Sequence, residues 1–251
     1  MDLDDPRTRE VFFAIHSMLP REGPGNRAST ARALSLAGPL PARPRVLDIA
    51  CGPGAQTMDI AGLLPDARIV ALDLHCPFLG ELRRRAAAGA VADRVAAVRG
   101  DMAALPFAAA SFDLLWCEGA AYIMGAEAAL RSWRPLLALG GRLALSEAVW
   151  LAADPPEKVR RCWDEYPAMR DAEGCRALVR GCGWRLLGDF VLPAEAWWEY
   201  YAPLEPRLDR LERKYAGDAL AEAVLREQRE EIALYRDHGD CYGYMFLVMA
   251  A

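Results

Sequence analysis

Three aspartates and two glycines have the types and spacing needed to hold a charged nucleoside. Asp48 lies inside a predicted strand, four residues before Gly52 in a Cys-Gly-Pro-Gly turn that ends at Gly54. Asp73 and Asp101 end the next two predicted strands. The carboxyl ends of parallel strands meet at one edge of an open α/β sheet, and ligands bind at that edge. Glycine backbone would allow close approach, and the acids could hold a cationic end, a ribose and an adenine amine. The pattern favours a positively charged nucleoside without a pyrophosphate.

Other ligands and simpler structural roles are compatible with parts of this pattern. A nucleotide triphosphate site needs a GxxxxGK[ST] loop, and the first lysine of the chain is Lys158, so that alternative fails. A dinucleotide site needs GxGxxG, and Thr57 stands where the third glycine belongs. The glycines could instead only turn the chain. Asp73 and Asp101 could cap a helix or turn, and Met102 could be core packing.

Four motifs resemble, in order, those of the class I S-adenosylmethionine (SAM)-dependent methyltransferases. They are "VLDIACGPGAQT", "VALDL", "GDMAALPF" and "FDLLWCEGAAYI", and they cover about residues 40–150. They are similar to the branch that includes ubiquinone and menaquinone biosynthesis methyltransferases. The resemblance implies a SAM site, with S-adenosylhomocysteine as the product.

The resemblance also implies a role for individual residues. Asp73 would bind the ribose, Asp101 the adenine amine, and Met102 would pack on the adenine face. Glu118 would border the methionine moiety, and Asp48 would support the loop or the ammonium group. The complete predicted cofactor set comprises Asp48, Ala50, Gly52, Gly54, Gln56, Thr57, Asp73, Leu74, Asp101, Met102 and Glu118.

A sulfonium makes its own methyl group electrophilic, so the protein need only align a nucleophile, exclude water and, where required, remove a proton. No catalytic triad is therefore expected. The predicted function is transfer of the SAM methyl group to a small-molecule acceptor by in-line displacement. The alternatives are a SAM-binding sensor without catalysis and, less favoured, an NAD-type oxidoreductase.

Residues for the acceptor side come from segments that would cap the carboxyl edge. A general base is sought among acids, a tyrosine and a histidine there: Glu118, Tyr122, Glu147 and His16. Trp150, Trp197 and Tyr201 would complete a partly aromatic cavity. Clustered acids with His or Asn are not apparent, so no metal is predicted.

Strand-like runs alternate with helical runs from residue 45 onward, which predicts a parallel sheet covered on both faces. The resemblance sharpens this to a Rossmann-like α/β fold with a seven-stranded mixed sheet. Its last strand would lie antiparallel beside the fifth, and a helical insertion would form a cap. Predicted strands are 45–50, 68–74, 94–100, 112–118, 141–149, 184–192 and 241–250. Predicted helices are 6–18, 27–37, 55–64, 77–89, 126–138, 155–169 and 171–183, with a helical insertion at 194–238.

The 251 residues fit a single methyltransferase domain, with N-terminal helices in 1–44, the SAM-binding core in 45–150 and a C-terminal part in 151–251. The composition is 53% hydrophobic and 26% charged, with a net charge of -5, which is typical of a globular protein. Seven cysteines without a CxxC pair indicate reduced thiols and a cytoplasmic location. Arginines scattered among acids do not favour nucleic acid, and no apolar run suggests a signal peptide or membrane span. A homodimer remains an open expectation.

Overall fold

The computed structural model describes residues 5–251, and in that range it contains one eight-stranded mixed sheet and ten α-helices. The strands are β1 (Arg45–Ile49), β2 (Arg68–Asp73), β3 (Val95–Arg99), β4 (Phe112–Glu118), β5 (Leu137–Trp150), β6 (Arg170–Asp171), β7 (Arg185–Val191) and β8 (Tyr242–Ala250). The helices are α1 (Pro6–His16), α2 (Arg27–Ala37), α3 (Ala55–Leu63), α4 (Cys76–Ala88), α5 (Ala126–Trp133), α6 (Glu157–Cys162), α7 (Ala172–Gly181), α8 (Ala194–Tyr201), α9 (Leu204–Lys214) and α10 (Ala219–His238).

The strand order is β3-β2-β1-β4-β5-β8-β7, with the two-residue β6 attached to β5. Strands β1 to β5 are parallel, and β8 runs antiparallel between β5 and β7, with Ser146 opposite Phe246. The predicted Rossmann-like mixed sheet, including the antiparallel last strand beside the fifth, is confirmed. Strand β6 adds to the seven predicted strands; two residues are too short to show a periodic pattern.

Both faces of the sheet are covered, as the apolar sequence of its parallel strands requires. One face packs against α5 and α7 through a cluster that includes Leu47, Leu145 and Trp133. The opposite face packs against α2, α3 and α4. A third cluster joins α1 to α8, α9 and α10 beyond the carboxyl ends of the strands. This third layer is the helical cap over the edge where ligands are expected.

Two predicted helices are longer than the observed ones. The helix predicted for 126–138 is α5, which ends at Trp133 and is followed by a 3₁₀ turn over Arg134–Leu136; Pro135 has no N–H with which to continue the α-helical hydrogen bonds. The helix predicted for 155–169 is only α6, which is followed by turns before β6. Residues 137–140 instead extend β5, which begins at Leu137 opposite Phe112. The insertion at 194–238 contains three helices, with Pro203 at the start of α9 and a glycine turn before α10.

Capping and amphipathicity fix α10 as the sequence predicts. The Asp218 carboxylate accepts a hydrogen bond from Ala221 N at 3.1 Å, and the helix ends at His238. The predicted inner face of α10 is buried: Ala221, Leu225, Gln228, Ile232 and Tyr235. Within residues 5–251, no helix combines the length and apolar character needed to cross a membrane. All seven cysteines are free thiols.

Candidate cofactor and acceptor site

One cavity of about 1330 Å³ runs along the carboxyl ends of the strands and beneath the helical cap. We call its two parts the strand-tip half and the helical half. The strand-tip half is lined by residues 50–52, 72–75 and 100–103, with Gln56 and Glu118. The helical half is lined by α1, α6, α8 and α10 together with loop residues 21–24. The cavity joins the regions that the sequence predicts for cofactor and acceptor.

The glycine loop is shaped by close packing and by left-handed backbone. Gly54 has φ +90°, and a Cβ placed on it would lie 2.4 Å from the Leu82 side chain, so a larger residue there would be strained and would have to displace Leu82. Gly52 has φ +54° and lines the cavity, and its N–H donates to Asp73 Oδ2 at 2.8 Å. Gly54 lies outside the cavity lining. The two glycines therefore have different roles: Gly54 for packing and Gly52 for access.

Asp48 lies fully buried beneath this loop and does not line the cavity. Its carboxylate accepts hydrogen bonds from Thr57 Oγ1 at 2.5 Å and from Gln56 Nε2 at 3.4 Å. Burial raises the pKa of Asp48 to about 8, and the hydrogen bond from Thr57 opposes that shift. Asp48 thus ties the end of β1 to the first turn of α3, across the glycine loop. Thr57, in the place of a third glycine, supplies that connection.

Asp73 organises the tip of β2 through both carboxylate oxygens. While Oδ2 accepts the Gly52 N–H, Oδ1 accepts the N–H of His75 at 2.8 Å. The His75 ring stacks on Phe13 with centroids 3.9 Å apart, so α1 covers this end of the cavity. Leu74, which is 61% exposed, lines the same wall. Each Asp73 oxygen retains lone pairs that the two backbone bonds do not use.

The tip of β3 contributes Asp101 and Met102. Asp101 is exposed and accepts the Ala103 N–H at 2.8 Å, which stabilises the turn that follows the strand. Met102 is half-buried, and its carbonyl accepts a hydrogen bond from Trp133 Nε1 at 3.0 Å. Both residues and Ala50 line the cavity. The structure therefore brings together most of the predicted cofactor set, with Asp48, Gly54 and Thr57 supporting from behind.

Glu118 is held by a residue that the sequence analysis did not single out. Arg21 Nη2 lies 2.7 Å from Glu118 Oε2, and Trp116 Nε1 donates to Oε1 at 2.8 Å. The Arg21 and Glu118 side chains are only 6% and 7% exposed. Burial raises the pKa of Glu118, and the guanidinium of Arg21 opposes that shift. A Cβ on Gly25 would lie 2.2 Å from Arg21 Nη2, so Gly25 makes room for the pair. Gly25, a glycine in the loop between α1 and α2, was the sequence feature that could have indicated a close contact here.

The four candidate bases separate into two groups. Glu118, Tyr122 and His16 line the cavity, whereas Glu147 does not. Glu147 is 4% exposed; Oε1 accepts the Ala148 N–H at 3.2 Å, and Oε2 has no hydrogen-bond partner among residues 5–251. Burial raises the pKa of Glu147 to about 7. The structure therefore places Glu147 inside the protein rather than at the acceptor.

Aromatic side chains and a buried polar chain form the helical half. Trp197 and Tyr201 of α8 line it, whereas Trp150 does not. Tyr201 OH donates to Glu231 Oε1 at 2.9 Å, and Gln228 Nε2 donates to Glu231 Oε2 at 3.0 Å. Every donor and acceptor in these two bonds comes from α8 or α10. The predicted aromatic lining is therefore accompanied by acids and amides that sequence reasoning missed.

In the part of the chain that the structure describes, the possible metal ligands that lie together are away from the cavity lining. Among the described residues, His238, Asp240 and Cys241 have ligand atoms within 4.8 Å of one another, at the turn between α10 and β8. Asp240 is exposed, and acidic groups in such turns are common without an ion. The absence of a metal stays a prediction.

The sheet order, the antiparallel β8, and the glycine loop beneath acidic strand tips define the fold of the class I SAM-dependent methyltransferases. Residues 46–141 match the family model described as "Methyltransferase domain". The sequence match over residues 46–141 and the class I methyltransferase fold together confirm the resemblance seen in the sequence.

Two curated relatives show how far the sequence similarity extends. Malonyl-[acyl-carrier protein] O-methyltransferase of Enterobacter lignolyticus is 35% identical over 165 residues, covering 62% of this chain and 61% of the relative. Ubiquinone/menaquinone biosynthesis C-methyltransferase UbiE of Paracoccus denitrificans is 40% identical over 103 residues, covering 41% of each. The matches span less than two thirds of either relative.

Solved structures extend the similarity to nearly the whole chain, at the level of the fold. A SAM-dependent methyltransferase from Geobacter sulfurreducens, in complex with S-adenosyl-L-homocysteine, has a TM-score of 0.81 and 22% identity over 99% of both chains. YjhP from E. coli has a TM-score of 0.81 and 21% identity, covering 96% of this chain and 99% of that one. The helical cap is therefore part of a fold that these proteins share.

Proposed function

We propose that the protein binds SAM in the strand-tip half and transfers its methyl group to a small-molecule acceptor in the helical half. The observation that carries this proposal is the Gly52 N–H bound to Asp73, with Asp101 on the same wall. The strand-tip lining is acidic or uncharged, so a pyrophosphate would meet carboxylates, whereas a sulfonium nucleoside would meet complementary charge. The oxidoreductase alternative is weakened by the same charges.

The residues present fit the cofactor by their chemistry. Asp73 would accept the ribose hydroxyls through lone pairs that its backbone bonds leave available. Asp101 would accept the adenine amine, and Met102 would contact the adenine face. Gly52 would allow the amino-acid end to approach the backbone, and Glu118 would border the methionine moiety. Ala50, Gln56 and Leu74 would complete the surrounding wall, and Asp48, Gly54 and Thr57 would hold the loop from behind.

Bound SAM supplies an electrophilic methyl group, and the protein supplies position. The helical half would hold the acceptor so that its nucleophilic atom lies in line with the methyl–sulfur bond. Such alignment can contribute roughly 7–11 kcal/mol of barrier reduction. The aromatic side chains of α8 would exclude water and contact an acceptor of partly apolar character. One relative is named for O-methylation of malonyl-[acyl-carrier protein] and the other for C-methylation in ubiquinone/menaquinone biosynthesis, so their names do not identify the acceptor here.

Thermal shift with SAM, S-adenosylhomocysteine and NAD tests the cofactor. We expect the first two to raise the melting temperature and NAD to leave it unchanged; stabilisation by NAD alone would overturn the proposal.

Incubation of a metabolite extract with enzyme and trideuteromethyl-labelled SAM tests catalysis. A metabolite that gains the labelled methyl group only with active protein is the expected product. Binding of S-adenosylhomocysteine with no labelled product would favour the sensor alternative.

A further inference from the structure

His16, the last residue of α1, lies at the centre of a buried polar chain in the helical half. Its side chain is 4% exposed and lines the cavity. Its Nε2 atom lies 3.2 Å from Gln228 Oε1, and its Nδ1 atom lies 2.8 Å from Glu22 Oε2. The Nδ1 contact departs from hydrogen-bond alignment, and Glu22 Oε1 has no hydrogen-bond partner among the described residues. The Nε2 atom of the ring is therefore hydrogen-bonded to Gln228, whereas the Nδ1 atom is close to Glu22 without an aligned hydrogen bond.

The neighbours of His16 decide which nitrogen carries its hydrogen. The Gln228 amide directs its NH₂ group toward Glu231 and donates to Glu231 Oε2 at 3.0 Å. The amide oxygen of Gln228 then faces His16, and Nε2 must be the donor. The hydrogen bond from Tyr201 to the other oxygen of Glu231 fixes this orientation. In the neutral ring, Nδ1 consequently presents a lone pair to the Glu22 carboxylate.

Two lone pairs at 2.8 Å repel each other, and a proton between them removes the repulsion. The proton can be carried as imidazolium beside carboxylate, or as imidazole beside carboxylic acid. Burial raises the pKa of the Glu22 carboxyl, and His16 opposes that shift. We call His16 and Glu22 the shared-proton pair.

The shared-proton pair stands at the boundary between the two halves of the cavity. A Cβ on Gly52 would lie 3.5 Å from Glu22 Cγ, so the Glu22 side chain lies directly over the glycine loop. His16 faces the aromatic helical half, next to Phe12, whose ring centroid is 4.2 Å away. A sulfonium placed between Gly52 and the helical half would therefore lower the proton affinity of the pair, because its positive charge disfavours a bound proton nearby.

We propose that the shared-proton pair is the acid–base group of the site. The pair loses its proton when the positively charged cofactor binds, and it then takes up the proton that the acceptor loses. This inference rests on the proposed function. It implies an acceptor with a hydroxyl or amine hydrogen. In the step, the acceptor heteroatom bonds to the methyl carbon, the methyl–sulfur bond breaks with its electron pair staying on sulfur, and the acceptor's proton passes to the shared-proton pair. An acceptor that is already an anion would not need the pair.

Other charged and titratable groups that face the pair set its balance. Glu231 approaches from α10 and Asp73 from the tip of β2, and both favour the protonated pair. Arg207 of α9 donates to the carbonyl of Ile15 at 3.2 Å and favours ionised Glu22. Tyr200 of α8 is a further titratable neighbour. Glu231 and Asp73 thus favour a proton on the pair, and Arg207 opposes it.

Proton release measured by calorimetry tests the inference without knowledge of the acceptor. SAM and S-adenosylhomocysteine are titrated into the full chain in phosphate and in Tris, whose ionisation enthalpies differ. We expect SAM to release a substantial fraction of a proton near neutral pH and S-adenosylhomocysteine, which lacks the sulfonium charge, to release less. The variants His16→Asn and Glu22→Gln should bind SAM without that release, and His238→Asn should behave as the unaltered protein.

The results separate failure of this inference from failure of the proposed function. No binding of either compound would contradict the proposed function. Binding of SAM with no proton release, or with release unchanged in both pair variants, would overturn the inference alone. If Glu22 served only to bind the cofactor, Glu22→Gln would weaken binding of both compounds, while His16→Asn would leave binding and proton release unchanged; that also overturns the inference.

One spectroscopic readout and one kinetic readout can be taken on the unaltered protein, so they do not depend on the folding of a pair variant. Nitrogen-15 NMR of the unaltered protein, with its three histidines assigned through His75→Asn and His238→Asn, should show His16 with hydrogen on Nε2. A His16 with hydrogen only on Nδ1 overturns the inference.

The kinetic readout uses any labelled product found in the extract assay. The rate of methyl transfer to form that product should rise with pH as the pair loses its proton. His16→Asn should remove that rise and lower kcat more than it raises KM; an unchanged pH profile contradicts the role as base.

Discussion

The two halves of the cavity are built by different kinds of contact. In the strand-tip half, Asp48 binds Thr57 nine residues away and Asp73 binds Gly52 twenty-one residues away. In the helical half, His16 contacts Gln228 across 212 residues of sequence. The first half follows from the order of adjacent strands and loops, whereas the second forms only when the N-terminal helix packs on the C-terminal insertion. We therefore expect substitutions in the two halves to have different consequences.

The largest effect is expected where a loop of the N-terminal segment meets the strand tips, at Arg21. Replacing Arg21 with Met leaves the buried Glu118 carboxylate without its cation, which typically costs about 3–5 kcal/mol of unfolding free energy. Urea denaturation measures the loss. Adding Glu118→Gln to Arg21→Met should restore part of it.

The matched control for Arg21 is Arg27, an arginine from the same region that makes an exposed pair. Arg27 lies 3.5 Å from Asp59 and is 56% exposed, so Arg27→Met should cost less than about 1 kcal/mol. Equal losses for the two variants would contradict the distinction between a buried and a solvated pair.

A second large effect concerns Glu147, which lies outside both halves. Its folded pKa of about 7 exceeds the reference value of 4.5, so the folded state binds the extra proton and stability falls as pH rises between these values. Glu147→Gln should remove that fall and stabilise the protein at about pH 8 by at most about 3 kcal/mol. Urea denaturation at several pH values measures it. An unchanged slope of stability against pH would show that Glu147 titrates normally.

Asp73 tests the strand-tip half through binding rather than folding. Asp73→Ala removes the acceptor of the Gly52 N–H and the proposed partner of the ribose, so the Kd for S-adenosylhomocysteine should rise about 100-fold, or about 2.7 kcal/mol. Calorimetry measures the Kd. Asp66→Ala, at an exposed turn, should leave it unchanged, and so should Tyr201→Phe in the helical half. A similar loss of affinity for S-adenosylhomocysteine in Tyr201→Phe would contradict the assignment of the cofactor to the strand-tip half alone.

The smallest effect separates close packing from backbone strain at two glycines. Gly54 and Gly125 have φ +90° and +87°, but only Gly54 has a side chain, Leu82, against its missing Cβ. Gly54→Ala should therefore cost about 1–3 kcal/mol more than Gly125→Ala, by thermal or urea unfolding. Leu82→Ala should reduce the difference when combined with Gly54→Ala. Equal costs would mean that left-handed strain alone accounts for both.

The strand-tip half could largely be predicted from the sequence, whereas contacts between residues that are distant in sequence could not. Strand ends between residues 45 and 118 follow from short apolar runs, so the sequence alone locates Asp73 and Asp101 at one edge of the sheet. The Arg21–Glu118 pair joins residues 97 apart, and no periodic pattern reports such a contact. The sequence predicted only that His16 lies in a segment that caps the carboxyl edge, because its contact with Gln228 on α10 depends on how two distant helices pack.

Glu147 shows how a strand end can mislead. The sequence placed it near the carboxyl end of the fifth strand, where a base is expected. Side chains alternate along a strand, and Leu145 and Val149, two residues away on either side, pack in the cluster with α5 and α7. Glu147 therefore points to that face. Strand β5 also continues three residues beyond Glu147, to Trp150, so Glu147 lies short of the tip.

A crystal structure of the protein with S-adenosylhomocysteine tests the central claim most directly. The account predicts ribose hydroxyls on the Asp73 carboxylate, the adenine beside Asp101 and Met102, and the amino-acid end over Gly52, with the sulfur directed toward the helical half. A nucleoside bound elsewhere, or one whose ribose is held away from Asp73, would contradict it.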